Sequence, residues 1–225
     1  MELVRLFGHQ INKMKKLLLI FSLLISTLSY AQLDTIRLKH QNYTTVFDKG
    51  LKYPVLVEWW VTTAKLSCPN PIPRKDKFGP DPLLPQYTDL AKDYVKSGTD
   101  RGHMAPAVDN QCLGETAMIE CFYFSNMAPQ YGALNRGDWK TLEMATRKLA
   151  IEQDSIHVWV GNVGVAKRIG RVAVPTHCWK VIYIKKTDTW KAYIFANTTE
   201  KADGIENNKV TVAAVEKLTG LKFKK

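Results

Sequence analysis

Between Thr99 and Ala107 the chain sets an acid, a base and an imidazole close together: Asp100, Arg101 and His103, around Gly102 and just ahead of Pro106. Those residue types can move a proton beside an anion. An imidazole titrates near pH ~6.5, so it offers a lone pair at neutral pH, and a guanidinium neutralises negative charge. Gly102 lets the backbone turn or approach a ligand, and Pro106 restrains the chain that follows, so the loop holds His103 in place. His40, His157 and His177 lack such neighbours and read as hydrogen-bonded structural residues. A second polar group runs from Ser125-Asn126 through Gln130 to Asn135, Asp138, Glu143 and Arg147. Glu143 and Arg147 are one helical turn apart and share a face. Taken alone they read as a surface ion pair, with Asn135 or Asp138 capping a helix.

Regular elements must position these groups. Val46-Phe47 and Val55 to Thr63 are β-branched and aromatic around Asp48-Lys49-Gly50, which predicts a hairpin or adjacent strands. Cys68 to Pro85 is proline-rich and predicts a loop, followed by a short helix over Leu90 to Lys96 and a buried strand at Phe122-Tyr123-Phe124. From Trp139 to about Glu152, Trp139, Leu142, Ala145 and Leu149 recur at helical spacing and give one apolar face. Strands are expected at His157 to Val160, Cys178 to Lys185 and Trp190 to Ala196, and a closing helix at Val210 to Leu218. The order implies an α+β domain whose mixed sheet is largely antiparallel.

With 225 residues, 45% of them hydrophobic and 24% charged, the chain has the composition of a folded domain rather than a disordered or fibrous one. Lys15-Lys16, an apolar run from Leu17 to Leu28 and Ser29-Tyr30-Ala31 have the layout of a signal peptide over 1–31, cleaved after Ala31. Residues 1–13 of that span are an upstream extension, with Met14 as an alternative start. The expected product, residues 32–225, is one domain, secreted or periplasmic, without stable membrane association after cleavage. The formal charge of +11 stays clearly positive without the leader and favours polyanionic partners. Four cysteines, Cys68, Cys112, Cys121 and Cys178, allow one or two disulfides in three complete pairings, with no pairing preferred.

Asp100-Arg101-Gly102-His103-Met104-Ala105-Pro106, Ser125-Asn126-Met127-Ala128-Pro129-Gln130 and the Asn135 to Arg147 block together resemble the DNA/RNA non-specific endonucleases, whose active site is a ββα-metal unit. The resemblance is specific over about residues 94–150. It implies His103 as the general base that activates water, Asn135 as the direct metal ligand and Glu143 behind a metal-bound water. Arg101 and Arg147 would stand beside the phosphate, and Asn126 would be a further catalytic position. It further implies Mg²⁺, with Mn²⁺ as a substitute, and DNA and RNA as substrates cut without strong sequence preference. General-base action supplies about 10²–10⁴-fold, too little alone for phosphodiester hydrolysis, so a divalent cation is expected as well. A non-catalytic nucleic-acid-binding protein on the same scaffold is the alternative. A zinc hydrolase built on His157, His177 and Cys178 lacks a spaced ligand pair.

Overall fold

The computed structural model describes residues 34–201 and 203–225. The expected leader over 1–31, with its extension over 1–13, lies outside the described residues. The strands are β1 (Thr35–Lys39), β2 (Thr44–Asp48), β3 (Tyr53–Thr62), β4 (Asp100–His103), β5 (Met127–Gln130) and β6 (Ser155–Val163). After them come β7 (Lys167–Ile169), β8 (Val172–Val174), β9 (His177–Ile184), β10 (Thr189–Ala196) and β11 (Lys209–Val210). Three helices matter here: α1 (Glu115–Glu120), α2 (Lys140–Gln153) and α3 (Val212–Thr219).

Seven strands form one sheet in the order β1-β2-β3-β6-β9-β10-β11, and every pairing in it is antiparallel. Alternation along β9 explains how it is covered on both sides. Cys178 and Ile182 face an inner core with Val57, Trp59, Val158 and Val160, against Trp139, Leu142 and Ala150 from the α2 region. Trp179, Val181 and Tyr183 face an outer core closed by Val215 of α3 and by Leu221 and Phe223. Helix α3 is capped at its start by Thr211, whose side chain accepts from Ala214 N, and ends at Gly220 in the left-handed region. Among the described residues no helix is long and apolar enough to cross a membrane.

Three local expectations are corrected. Leu90 to Lys96 is a run of turns rather than a helix, with bonds such as Asp93 N to Leu90 O at 3.0 Å. The Asp93 carboxylate is drawn to the Arg171 backbone N–H at 2.8 Å and to its guanidinium. Phe122-Tyr123-Phe124 is no strand, because Phe122 N and Tyr123 N bond back to Ile119 O and Glu120 O at the end of α1. Both Phe rings are nevertheless fully buried, which accounts for the apolar run. Finally, α2 begins at Lys140, after a π-helical turn over Leu134–Trp139 that Gly137 breaks with non-helical torsions. Neither expected cap serves it: Asn135 donates to Asp100, and Asp138 accepts from Gly204 N.

Candidate active site

Strands β4 and β5 pair antiparallel outside the large sheet, with Asp100 opposite Gln130 and His103 opposite Met127. The helix end closes against them, since Trp139 Nε1 donates to His103 O at 3.3 Å and Asn135 Nδ2 donates to Asp100 Oδ2 at 2.9 Å. The result is a ββα unit. Alternation along β4 turns Arg101 and His103 to one side and Gly102 to the other. There a Cβ on Gly102 would overlap the Gln130 side chain, so the glycine serves close packing rather than a ligand.

His103, Arg101, Asn135, Glu143 and Arg147 all line one cleft of about 330 Å³. His103 is half-buried against Phe122, at 4.9 Å between ring centroids, and Phe78, at 5.7 Å. Its Nε2 is buried without a hydrogen-bond partner. That burial, with the nearby Arg74 charge, pushes the imidazole down to about 3, so it is neutral at ordinary pH. Arg101 lies over the Phe78 ring at 4.8 Å and also lines the cleft. Asp100 orients Asn135: a carboxylate can only accept, so the amide nitrogen faces it and Oδ1 is left for a ligand. Asp100 is itself held by Arg136, whose Nε lies at 2.8 Å.

Glu143 and Arg147 do not pair as expected. Arg147 Nη1 reaches Asp109 Oδ1 at 3.4 Å, and Trp59 Nε1 donates to the other Asp109 oxygen at 3.1 Å. Burial raises Glu143 above the usual carboxylate range, against the pull of Lys180. Burial likewise lowers Lys180, against the pull of Glu143 and Asp109.

Asn126 is not brought to the cleft. It is fully buried, donates to Ala105 O at 2.9 Å and Cys121 O at 2.8 Å, and accepts from Ala105 N at 2.9 Å, so it braces the loop behind His103. Gln130 is likewise buried, donating to Cys178 Sγ at 3.3 Å.

Sequence reasoning missed Arg74, Asp109 and Lys180. Arg74 comes from the proline-rich loop, and the Cys68–Cys112 disulfide ties that loop to the turn carrying Asp109. No local pattern marks either residue. Lys180 does carry a signal, because it shares a strand row with apolar Cys178 and Ile182. Cys121 and Cys178 are buried free thiols.

The model of the DNA/RNA non-specific endonuclease family matches residues 25–225. "Nuclease 1, mitochondrial" of Schizosaccharomyces pombe is 32% identical over 212 residues, covering 83% of this chain and 65% of that protein. "Nuclease C1" of Cunninghamella echinulata is 36% identical over 166 residues, covering 65% of this chain and 66% of that protein. Human "Nuclease EXOG, mitochondrial" is 31% identical, covering 82% and 55% respectively. The chain thus spans roughly half to two thirds of the length of these curated relatives. Among solved structures, a chain of the EndoG/EndoGI complex superposes with a TM-score of 0.74 at 31% identity, covering 83% of this chain and 84% of that one.

The relatives correct the expected secreted or periplasmic location, since several are named as mitochondrial nucleases. A basic start and an apolar run are compositional features, and they do not by themselves specify one export route. What the fold, the ββα unit and the match over residues 25–225 establish together is descent: the chain belongs to the DNA/RNA non-specific endonuclease family, a family of metal-dependent nucleases.

Proposed function

We propose that the protein hydrolyses phosphodiester bonds of DNA and RNA without strong sequence preference, with Mg²⁺ as its cation. The observation that carries this is the cleft, in which one neutral imidazole, one free amide oxygen and one carboxylate face five cations: Arg74, Arg101, Arg136, Lys140 and Arg147. Pro106, Ala107 and Val108 complete its lining. Cations meet phosphates, which carry no base information, and this supports indifference to sequence.

His103 accepts a proton from the attacking water. In the free protein it is a weak base, but a phosphate in the cleft offsets the Arg74 charge and raises its basicity. Arg101 and Arg147 oppose the charge that grows on the phosphate oxygens. The donor set fits a hard cation. The Oδ1 of Asn135 is an oxygen ligand held in place by Asp100, and Glu143 offers a second oxygen donor towards bound water. Among the described residues no group of three or more His, Cys, Asp or Glu side chains is placed to hold a metal ion, and a site of one amide oxygen and one carboxylate suits an ion that keeps much of its water better than it suits zinc. When bound, such an ion neutralises phosphate charge and supplies an acidic water to the departing oxygen.

The test is digestion of plasmid DNA and of RNA in chelator, then with Mg²⁺, Mn²⁺ or Zn²⁺ restored. Cutting of both substrates, abolished by chelator and restored by Mg²⁺, is expected. Salt-sensitive binding with no cutting in any cation overturns the proposal in favour of a nucleic-acid-binding protein. Asn135→Ala should weaken the apparent Mg²⁺ affinity while leaving the fold intact, and an unchanged Mg²⁺ dependence removes the assigned ligand.

A further inference from the structure

Lys180 is 1% exposed in the middle of β9, opposite Val160 of β6 and Tyr193 of β10. Its row otherwise holds apolar side chains of the inner core, including Cys178 and Ile182. An ammonium there is costly unless opposite charge meets it. Its Nζ lies 4.9 Å from the ring centroid of Trp139, the residue that hydrogen-bonds the His103 carbonyl, so the lysine reaches under the cleft floor. The carboxylates acting on it are Glu143 and Asp109, and Lys180 is in turn the first cation acting on Glu143. Asp109 is buried too and already accepts from Arg147 and Trp59. Of these four groups Arg147 and Asp109 are in contact at 3.4 Å, Glu143 and Arg147 line the cleft, and Lys180 stands behind them without an ion pair of its own among the described residues, acting across the buried space under Trp139.

We propose that Lys180 is a positioning residue of the nuclease site. Its ammonium holds Glu143 towards the cleft and shares Asp109 with Arg147, leaving that guanidinium available to a phosphate. Without Lys180, Arg147 alone faces two carboxylates, the buried Asp109 and the cleft-lining Glu143. It would be drawn inward and neutralised, and Glu143 would lose its anchor. This rests on the nuclease reading, and its test separates the two.

Four proteins are compared: wild type, Lys180→Met, Lys180→Arg and the double variant Lys180→Met/Asp109→Asn. Lys180→Met keeps the length and apolar stem but removes the charge. Its kcat on DNA should fall by at least about 10-fold with KM changed less than about 3-fold, because the loss acts on groups that meet the reacting phosphate. Its melting temperature in chelator should fall by about 6–12 °C, as expected for a buried charge left unbalanced. Lys180→Arg should restore part of both. The double variant removes one carboxylate along with the ammonium, so it should recover at least half of each loss on a logarithmic or degree scale. A structural role through packing alone predicts no rescue. Unchanged Lys180→Met, or a double variant no better than the single one, overturns the proposal. If Lys180→Met does not fold, folding of the double variant supports the charge balance and its failure overturns it. If the wild type cuts nothing, the nuclease reading fails, while the melting comparison in chelator still decides whether the charges balance.

Discussion

The two faces of the large sheet bury their polar groups on different terms. On the outer face, Trp159 stacks on Trp190 at 5.6 Å and meets Phe223 at 5.8 Å, and its Nε1 donates to Glu58 at 2.9 Å. Tyr183 OH donates to Asp188 at 2.9 Å. Trp179 Nε1 is the exception there, buried without a partner. Towards the cleft the pattern changes. Arg101 Nε, His103 Nε2 and Gln130 Oε1 are buried and unpartnered, and Lys180 and Asp109 are ionisable groups held away from water. A fold tolerates such costs where the groups serve something other than stability. The outer face is built to hold the domain together, and the inner face to present a cation-rich cleft.

A crossed pair of substitutions is the strongest way to break that contrast. Trp159→Ala should cost about 3–5 kcal/mol of stability through the cavity it leaves, with kcat per folded molecule nearly unchanged. His103→Ala should leave the melting temperature close to wild type and lower turnover by about 10²-fold or more at every Mg²⁺ concentration. Thermal melts and initial rates on both variants check this. If Trp159→Ala loses turnover without losing stability, or His103→Ala the reverse, the two faces do not divide the work as argued.

The next effect concerns the Cys68–Cys112 disulfide. The Cys68–Cys112 bridge closes a segment with a sequence separation of 44 and fixes the loop that supplies Arg74 beside the turn that supplies Asp109. Its removal in Cys68→Ser/Cys112→Ser should cost roughly 2–4 kcal/mol. It should also raise KM for nucleic acid, because Arg74 then samples positions away from the cleft. A denaturant titration and steady-state kinetics measure both; stability lost with KM unchanged would confine the bridge to the scaffold.

The division between the faces also explains what could be read from the amino-acid order. Strands β6, β9 and β10 and helix α2 were legible because burial on a sheet face or helix stripe imposes a period on side-chain type. His103, Asn135, Glu143 and Arg147 were legible because the chemistry crowds unlike polar groups into short ordered blocks. Asn126 shows the limit of such blocks: it matches a motif, yet every bond it makes is to backbone behind the loop. Arg74 and Asp109 reach the cleft from loops with no period, where only three-dimensional folding sets their neighbours. The Phe122 and Phe124 pair misled because two buried aromatics around a turn have the composition of a strand.

The smallest effect separates the faces through pH. His157 lies on the outer face, stacked on Trp60 at 4.5 Å and close to Trp159 at 3.7 Å, with Glu58 Oε2 at 3.9 Å. Burial pushes its imidazole down to about 4, and Glu58 only partly offsets this. Above pH ~6.5 neither the folded nor the unfolded chain protonates it, and it contributes no pH dependence. As pH falls from ~6.5 towards 4, the unfolded chain takes up a proton that the folded chain refuses, so stability declines. Below about 4 both states carry the proton and the loss stops growing. The share due to His157 should reach about 2–3 kcal/mol, and His157→Gln should remove it. His103 adds a share of the same sign that extends further, to about pH 3. Carboxylates titrate over the same range, so the useful quantity is the difference between wild type and His157→Gln at each pH, taken from denaturant midpoints. A difference that grows between pH 6.5 and 4 and then levels confirms the neutral, buried imidazole. A flat difference means that Glu58 charges His157 in the folded state, and the outer face then holds an ion pair where an aromatic stack was inferred.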